Sequence, residues 1–177
     1  EIYGQAVIAD TQGKIWITGE QNFLHCYTPA TQQFTSYVLN VVEPFFSGWS
    51  IQQIRTGQLL IGTTNGLFTK NPLDKENPTP FTKLNGYNTL TESCIYHILE
   101  TDEGIWLTTD HGLFLVDMNT GVKEHIDKES ANLPNDNLLF LHKDNDNIYW
   151  IASRGGGLIR WDRARKTFRP YTVNEGL

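Results

Sequence analysis

The chain has 177 residues, 39% hydrophobic and 12% aromatic, enough to bury a substantial core. Its 14 basic residues against 20 acidic ones leave a net charge of −6, which argues against nucleic acid as a partner, because phosphate binding needs clustered Lys and Arg. No apolar run is long enough to span a bilayer, and no signal peptide is visible at Glu1. The segment is therefore expected not to be membrane-embedded and to be an excised or processed piece.

Taken in order, the chain reads as short strands separated by turns. Ala6–Ala9, Lys14–Thr18, Phe23–Tyr27 and Gln33–Tyr37 are strands, with Asp10–Gly13 and the stretch around Pro29 as turns. A connection, Val38–Gly48, carries Phe45 and Phe46 and ends just before Trp49. Trp49–Ile54, Gln58–Gly62 and Leu67–Lys70 follow, and Asn71–Pro80 is the longest polar loop. Phe81–Leu84 is expected to close that group as a fourth strand. Ile95–Leu99, Ile105–Thr108, Leu113–Val116 and Val122–Ile126 form the third group, and Leu138–His142, Tyr149–Ala152, Leu158–Trp161 and Thr167–Tyr171 the fourth. Pro170 cannot donate to a ladder, so the last strand should lie at a sheet edge. No segment keeps a helical period, and almost no helix is expected.

The groups repeat. Trp16, Leu60, Trp106 and Trp150 align at intervals of 44, 46 and 44 residues. Gly66-Leu67, Gly112-Leu113 and Gly157-Leu158 occupy one shared step, with Asn22-Phe23 in its place in the first copy. Leu90, Leu133 and Leu177 are register-equivalent, so the chain is expected to hold four whole repeats, at about 1–45, 46–90, 91–133 and 134–177. A period in the forties with four strands per unit is the mark of propeller blades. The fold class expected is all-β: four blades, each a four-stranded antiparallel sheet, of a β-propeller that extends beyond this chain.

The pattern resembles the two-component regulator propeller repeat. It is carried by Asp102-Glu103-Gly104-Ile105-Trp106, Thr109, Gly112-Leu113 and Asp117, again by Trp150, Gly157-Leu158, Asp162, Phe168 and Tyr171, and by the link Asn132-Leu133-Pro134. Asn22-Phe23, Leu60 and the enlarged loop at Asn71–Pro80 depart from it. Trp161-Asp162 lacks the upstream Gly-His of a WD40 blade, which fits less well. The resemblance implies a periplasmic sensor region of a hybrid two-component system histidine kinase. Such sensors look like tandem seven-bladed propellers with a β-sandwich and a transmembrane helix. Many respond to oligosaccharides, and they are expected to act as homodimers whose blades pack on neighbouring blades and domains of the same receptor.

Recurrence separates structural from functional residues. Asp10, Asp102 and Asp144 precede the first turns of their groups, and Asp117 and Asp162 open the third turns, so all five read as turn-forming aspartates. Trp16, Trp106 and Trp150 read as packing between blades. The basic stretch Arg160–Arg169 reads as a solvated blade edge. Asp144–Asn147 lacks the central Gly and distal Glu of a calcium loop, and the histidines at 25, 97, 111, 125 and 142 show no metal-site pairing. No metal and no cofactor is expected. Cys26 and Cys94 fit no zinc or redox spacing, and whether they are free stays open.

The non-recurring residues are the candidates for ligand binding. Connections between groups and the second-to-third turns should gather on one face, bringing Phe45, Phe46, Trp49, Glu20, Gln21, Asn65, His111 and Arg154 there. Aromatic rings with amides, a carboxylate and a guanidinium suit a sugar; equally, the three rings can cover core or meet a neighbouring domain. No catalytic residue is assigned, because the first strands supply Gln52, Gln53, His97 and His142 but no carboxylate, with Glu100 only at a strand end. Three functions remain: a non-enzymatic sensor, which is the reading preferred, a propeller glycosidase or polysaccharide lyase, and a protein-interaction scaffold.

Overall fold

A computed structural model describes residues 4–19, 22–39 and 47–176. It holds four four-stranded antiparallel sheets, each with its strands in sequence order. These are β1 (Gly4–Ala9), β2 (Ile15–Gly19), β3 (Phe23–Thr28) and β4 (Gln33–Val38); then β5 (Gly48–Gln53), β6 (Leu59–Thr63), β7 (Gly66–Lys70) and β8 (Thr79–Pro80). The third sheet is β9 (Ile95–Glu100), β10 (Ile105–Thr109), β11 (Gly112–Asp117) and β12 (Gly121–Ile126). The fourth is β13 (Leu138–Lys143), β14 (Ile148–Ser153), β15 (Gly157–Asp162) and β16 (Thr167–Tyr171). Each is the meander of a propeller blade. Among the described residues, helix is confined to α1 (Lys128–Ala131) and two short 3-10 turns.

The chain divides into two compact units, residues 1–82 with 91–95, and residues 83–90 with 96–177. In the first, side chains that alternate along each strand line up across strands. Ile8 faces Trp16, and Trp16 faces Cys26. This row packs on Ile51, Leu59, Ile61 and Phe68 of the second sheet. Trp16 is fully buried, and its indole Nε1 donates to Asp10 Oδ2 at 2.8 Å. Asp10 Oδ1 accepts from the backbone of Gln12 and Lys14, so one carboxylate closes the turn and anchors the core.

In the second unit, Trp106 of the third sheet packs against Leu141, Tyr149, Ile151 and Trp161 of the fourth. The Trp106 and Trp161 rings meet edge to face at 5.1 Å. Trp150 occupies the other face of its sheet. Side chains alternate across β14, so with Tyr149 and Ile151 turned to the third sheet, Trp150 lies on the far face, half-buried, 5.9 Å from the Tyr171 ring.

Phe81–Leu84 is not a strand. The fourth strand of the second sheet is the pair Thr79–Pro80, opposite Thr69 and Phe68. Pro78 and Pro80 have no N–H to extend a ladder, so only the Phe81 N–H follows, donating to Leu67 O at 2.8 Å before the chain leaves the sheet. In the fourth sheet, β16 pairs only with β15, and Pro170 occupies that edge strand. Asp117 and Asp162 do cap their turns through Oδ1. In the fourth sheet's first turn, however, the side chain that accepts from Asn147 and Ile148 is Asn145, one residue beyond Asp144. Cys26 and Cys94 are both buried, and they are not joined in a disulfide.

Candidate functional site

The second-to-third turns are built alike. Thr63 Oγ1 donates to Gly66 O at 2.7 Å and accepts from Asn65 N at 3.1 Å. Thr109 does the same, to Gly112 O at 2.9 Å and from His111 N at 2.9 Å. Ser153 Oγ donates to Gly157 O at 3.0 Å. The threonine or serine fixes the turn, and the turn presents Asn65, His111 or Arg154 at its tip.

In the first unit, Trp49 sits at a bulge between Gly48 and Ser50, where β5 pairs with the end of β6. It is 37% exposed. Ser47 O accepts from Thr64 N at 3.0 Å, tying the start of β5 to the tip that carries Asn65. Trp49 and Asn65 therefore share one end of the second sheet. Glu20, Gln21, Phe45 and Phe46 lie outside the described residues.

In the second unit, His111 and Arg154 are tied to adjacent residues of the segment joining β12 to β13. Asp136 O accepts from Gly112 N, and Asn137 O from Arg154 N, both at 2.8 Å. Asn135 Nδ2 donates to Arg154 O at 3.3 Å. The Arg154 guanidinium lies 5.6 Å from the Tyr96 ring, a cation–π contact that turns an aromatic face and a positive charge to the same spot. His111 Nδ1 is 2.9 Å from Asp110 Oδ1. His111 O, which can only accept, takes a hydrogen bond from His125 Nε2 at 2.6 Å. His125 in turn stacks on Phe114 at 4.0 Å. The segment is held by a short capped helix, in which Asp127 Oδ1 accepts from Ser130 N.

Sequence reasoning found the tips and missed the residues around them. Tyr96, Asp110, Asn135 and Asp136 share no repeat position, and in sequence the link Asn132-Leu133-Pro134 reads only as a connection. Its neighbours Asn135–Asn137 are the signal that was available, since three polar residues in a row after a proline have backbone groups to place.

Among the described residues no group of three or more metal-ligating side chains is gathered. No described helix is long and apolar enough to cross a membrane. The basic stretch is not uniformly solvated: Arg163 is held between Glu103 and Glu124, with its guanidinium 5.0 Å from Trp106 and 5.2 Å from Trp161.

No family model matches the chain, and no curated protein matches it. Solved structures do. One is the extracellular domain of a protein designated a hybrid two component system of B. thetaiotaomicron, with a TM-score of 0.81 at 17% identity, over 97% of this chain and 25% of that one. A second such domain from the same organism gives 0.64 at 18% identity, over 99% of this chain and 21% of that one. A virginiamycin B lyase from Staphylococcus aureus gives 0.65 at 12% identity, over 97% and 56%. The chain thus spans a quarter or less of the two extracellular domains. By fold, then, the chain is a set of four β-propeller blades of the kind found in the extracellular domains of hybrid two-component systems.

Proposed function

We propose that the chain is a non-enzymatic sensor module of a two-component signalling histidine kinase, placed in the periplasm, that recognises an oligosaccharide or mediates sensor assembly. The observation that carries this reading is the likeness to the extracellular domain of a hybrid two-component system over 97% of the chain. The four-fold repeat, whose sequence resembles the propeller repeat of such receptors, supports it independently. The module is part of a larger propeller, and its partners are neighbouring blades and a second receptor copy.

The ligand would meet either Trp49 and Asn65 in the first unit or His111 and Arg154 in the second. In the first unit a ring stacks on the apolar face of a pyranose while an amide fixes hydroxyls; in the second, imidazole and guanidinium fix hydroxyls. Signalling then needs only that the ligand bind one arrangement of the sensor dimer better than the other. The lyase likeness, at 12% identity, concerns fold.

The test is a melting series of the purified chain against a panel of neutral and acidic oligosaccharides, with the same mixtures assayed for cleavage. A ligand at about 100 times its Kd stabilises the folded state by about 2.7 kcal/mol, a shift of several degrees. The expected result is such a shift for one glycan class, reduced by Trp49→Ala or Arg154→Ala, with no product formed. Turnover of any glycan would overturn the sensor reading in favour of an enzyme.

A further inference from the structure

The loop between β7 and β8, residues 71–78, is the longest of the third turns, and it does not hang free. Lys70, at its root, has a side chain with no exposed surface and an ion pair to Asp74. Lys70 Nζ also donates to Asn71 O at 2.7 Å and Asp74 O at 3.1 Å, and lies 4.6 Å from the centre of the Tyr37 ring. A buried ammonium so fully partnered acts as a pin. Further out, Lys14 Nζ donates to Pro72 O at 3.2 Å, and Asn77 Oδ1 accepts from Val38 N at 3.0 Å. The loop is thereby clamped over β4 of the first sheet.

Between loop and strand is a cleft of about 340 Å³, at the lower end of the range for small-molecule sites. Its walls are unusual for a chain of net charge −6. Lys14 and Lys75 line it, and neither has a carboxylate partner among the described residues. The one lining carboxylate, Asp74, is already taken by Lys70 and by the Glu76 N–H. Thr35, Ser36, Tyr37 and Asn77 line the same space, and Pro72 and Leu73 add apolar surface. The cleft therefore offers two ammoniums without a carboxylate partner, beside residues that carry hydroxyl and amide groups.

We propose that this cleft is a binding site for a small hydroxylated anion, a molecule with one carboxylate or phosphate and several hydroxyl groups. The anion lies between Lys14 and Lys75. Its hydroxyls exchange hydrogen bonds with Thr35, Tyr37 and Asn77, and its carbon skeleton rests on Pro72 and Leu73. This site is on the outer strands of the first unit, apart from the hairpin tips, and it stands whether or not the sensor reading does.

The experiment is calorimetric titration of the chain with gluconate, with glycerol phosphate and with neutral sorbitol at constant ionic strength. Expected is saturable 1:1 binding of at least one anion, with sorbitol at least tenfold weaker. The tighter of the two anions tells whether the ligand is a hydroxy acid or a phosphate ester. Lys75→Gln should weaken binding about tenfold; its side chain makes no hydrogen bond among the described residues, so folding is unaffected. Lys14→Gln should weaken it similarly, and Lys128→Gln, on α1 of the other unit, should leave it unchanged. No saturable binding of either anion up to about 10 mM, equal binding of sorbitol, or unchanged binding in Lys75→Gln would each overturn the proposal.

Discussion

Arg163 donates to both oxygens of the Glu124 carboxylate, Nη1 to Oε1 at 3.0 Å and Nη2 to Oε2 at 2.7 Å. The fork joins the turn after β15 to the middle of β12, so it staples the fourth sheet to the third. A second carboxylate, Glu103, accepts from Arg163 Nε at 3.1 Å and from Tyr149 Oη at 3.3 Å. Burial first, then the Glu103 charge, push the Tyr149 phenol up to about 12, so it remains a donor at any ordinary pH.

Removing Arg163 leaves Glu103 and Glu124 facing each other without a cation. Because the guanidinium is partly exposed, the cost is well below that of a buried pair: about 2 kcal/mol for Arg163→Met and about 1 kcal/mol for Glu124→Gln. Urea unfolding of both single variants and the double variant checks this. The fork predicts a coupling of about 1 kcal/mol, whereas strict additivity would mean that the two side chains are merely neighbours.

Asp10 is 5% exposed and accepts from two backbone N–H groups and from the Trp16 indole. Asp10→Ala strands all three donors, and Trp16 Nε1 is buried. A loss of about 3 kcal/mol is expected, since each buried donor left unpaired costs about 1 to 3 kcal/mol and two of these three can reach water. Asp10→Asn, which keeps one acceptor, should lose less than half as much. Thermal melts of the two variants separate a turn residue that water can replace from a core anchor that it cannot.

The Gly-Leu step has a backbone cause. Gly66, Gly112 and Gly157 have φ of 87°, 94° and 74°. A Cβ at Gly112 would strike Ile126 O, and one at Gly157 would strike Tyr171 O. Gly112→Ala should therefore cost about 3 kcal/mol, combining a left-handed backbone with a clash against a fixed carbonyl. The first copy has Asn22 at this step, with φ of 60°, the non-glycine residue type that best tolerates that region. Asn22 Oδ1 is buried and makes no hydrogen bond among the described residues. Asn22→Gly should be neutral or stabilising by up to about 1 kcal/mol, and Asn22→Val destabilising by about 2 kcal/mol. Equal melting of the glycine and valine variants would refute the backbone explanation.

The same position shows what sequence could and could not reveal. The interval between Trp16, Leu60, Trp106 and Trp150 is enough to place four sheets, because a meander must repeat its apolar alternation to stack. Asn22-Phe23 looked like a departure from the pattern and is the same backbone conformation reached by another residue type. The tips with Asn65, His111 and Arg154 were legible, since they break a pattern everything else keeps. The partners of those tips were not: Tyr96 reaches Arg154 from 58 positions away in sequence, and no period marks such a contact. Phe81–Leu84 is not a strand because Pro78 and Pro80 have no N–H to carry the ladder further. In sequence Asn71–Pro80 is simply long and polar, but the burial of Lys70 shows that the loop is pinned in place.

His97 is the side chain through which acid should be felt. Burial lowers its pKa from 6.5 to about 4. Its Nδ1 accepts from Leu141 N at 3.4 Å, which requires an unprotonated nitrogen, and its ring lies 3.9 Å from that of Phe140. In the unfolded chain the imidazole takes up a proton near pH 6.5. Between that value and about 4 the unfolded state binds more protons than the folded one, so stability must rise with pH across this window. The contribution is complete above pH 6.5 and is lost as pH falls towards 4, by up to about 3 kcal/mol. His97→Gln retains a polar group that can accept from Leu141 but does not titrate. Its melting temperature should therefore fall less steeply than that of the parent between pH 6.5 and 4. Parallel curves for the two proteins would show that His97 titrates alike in the folded and unfolded states, and that its packing against Phe140 does not exclude the proton.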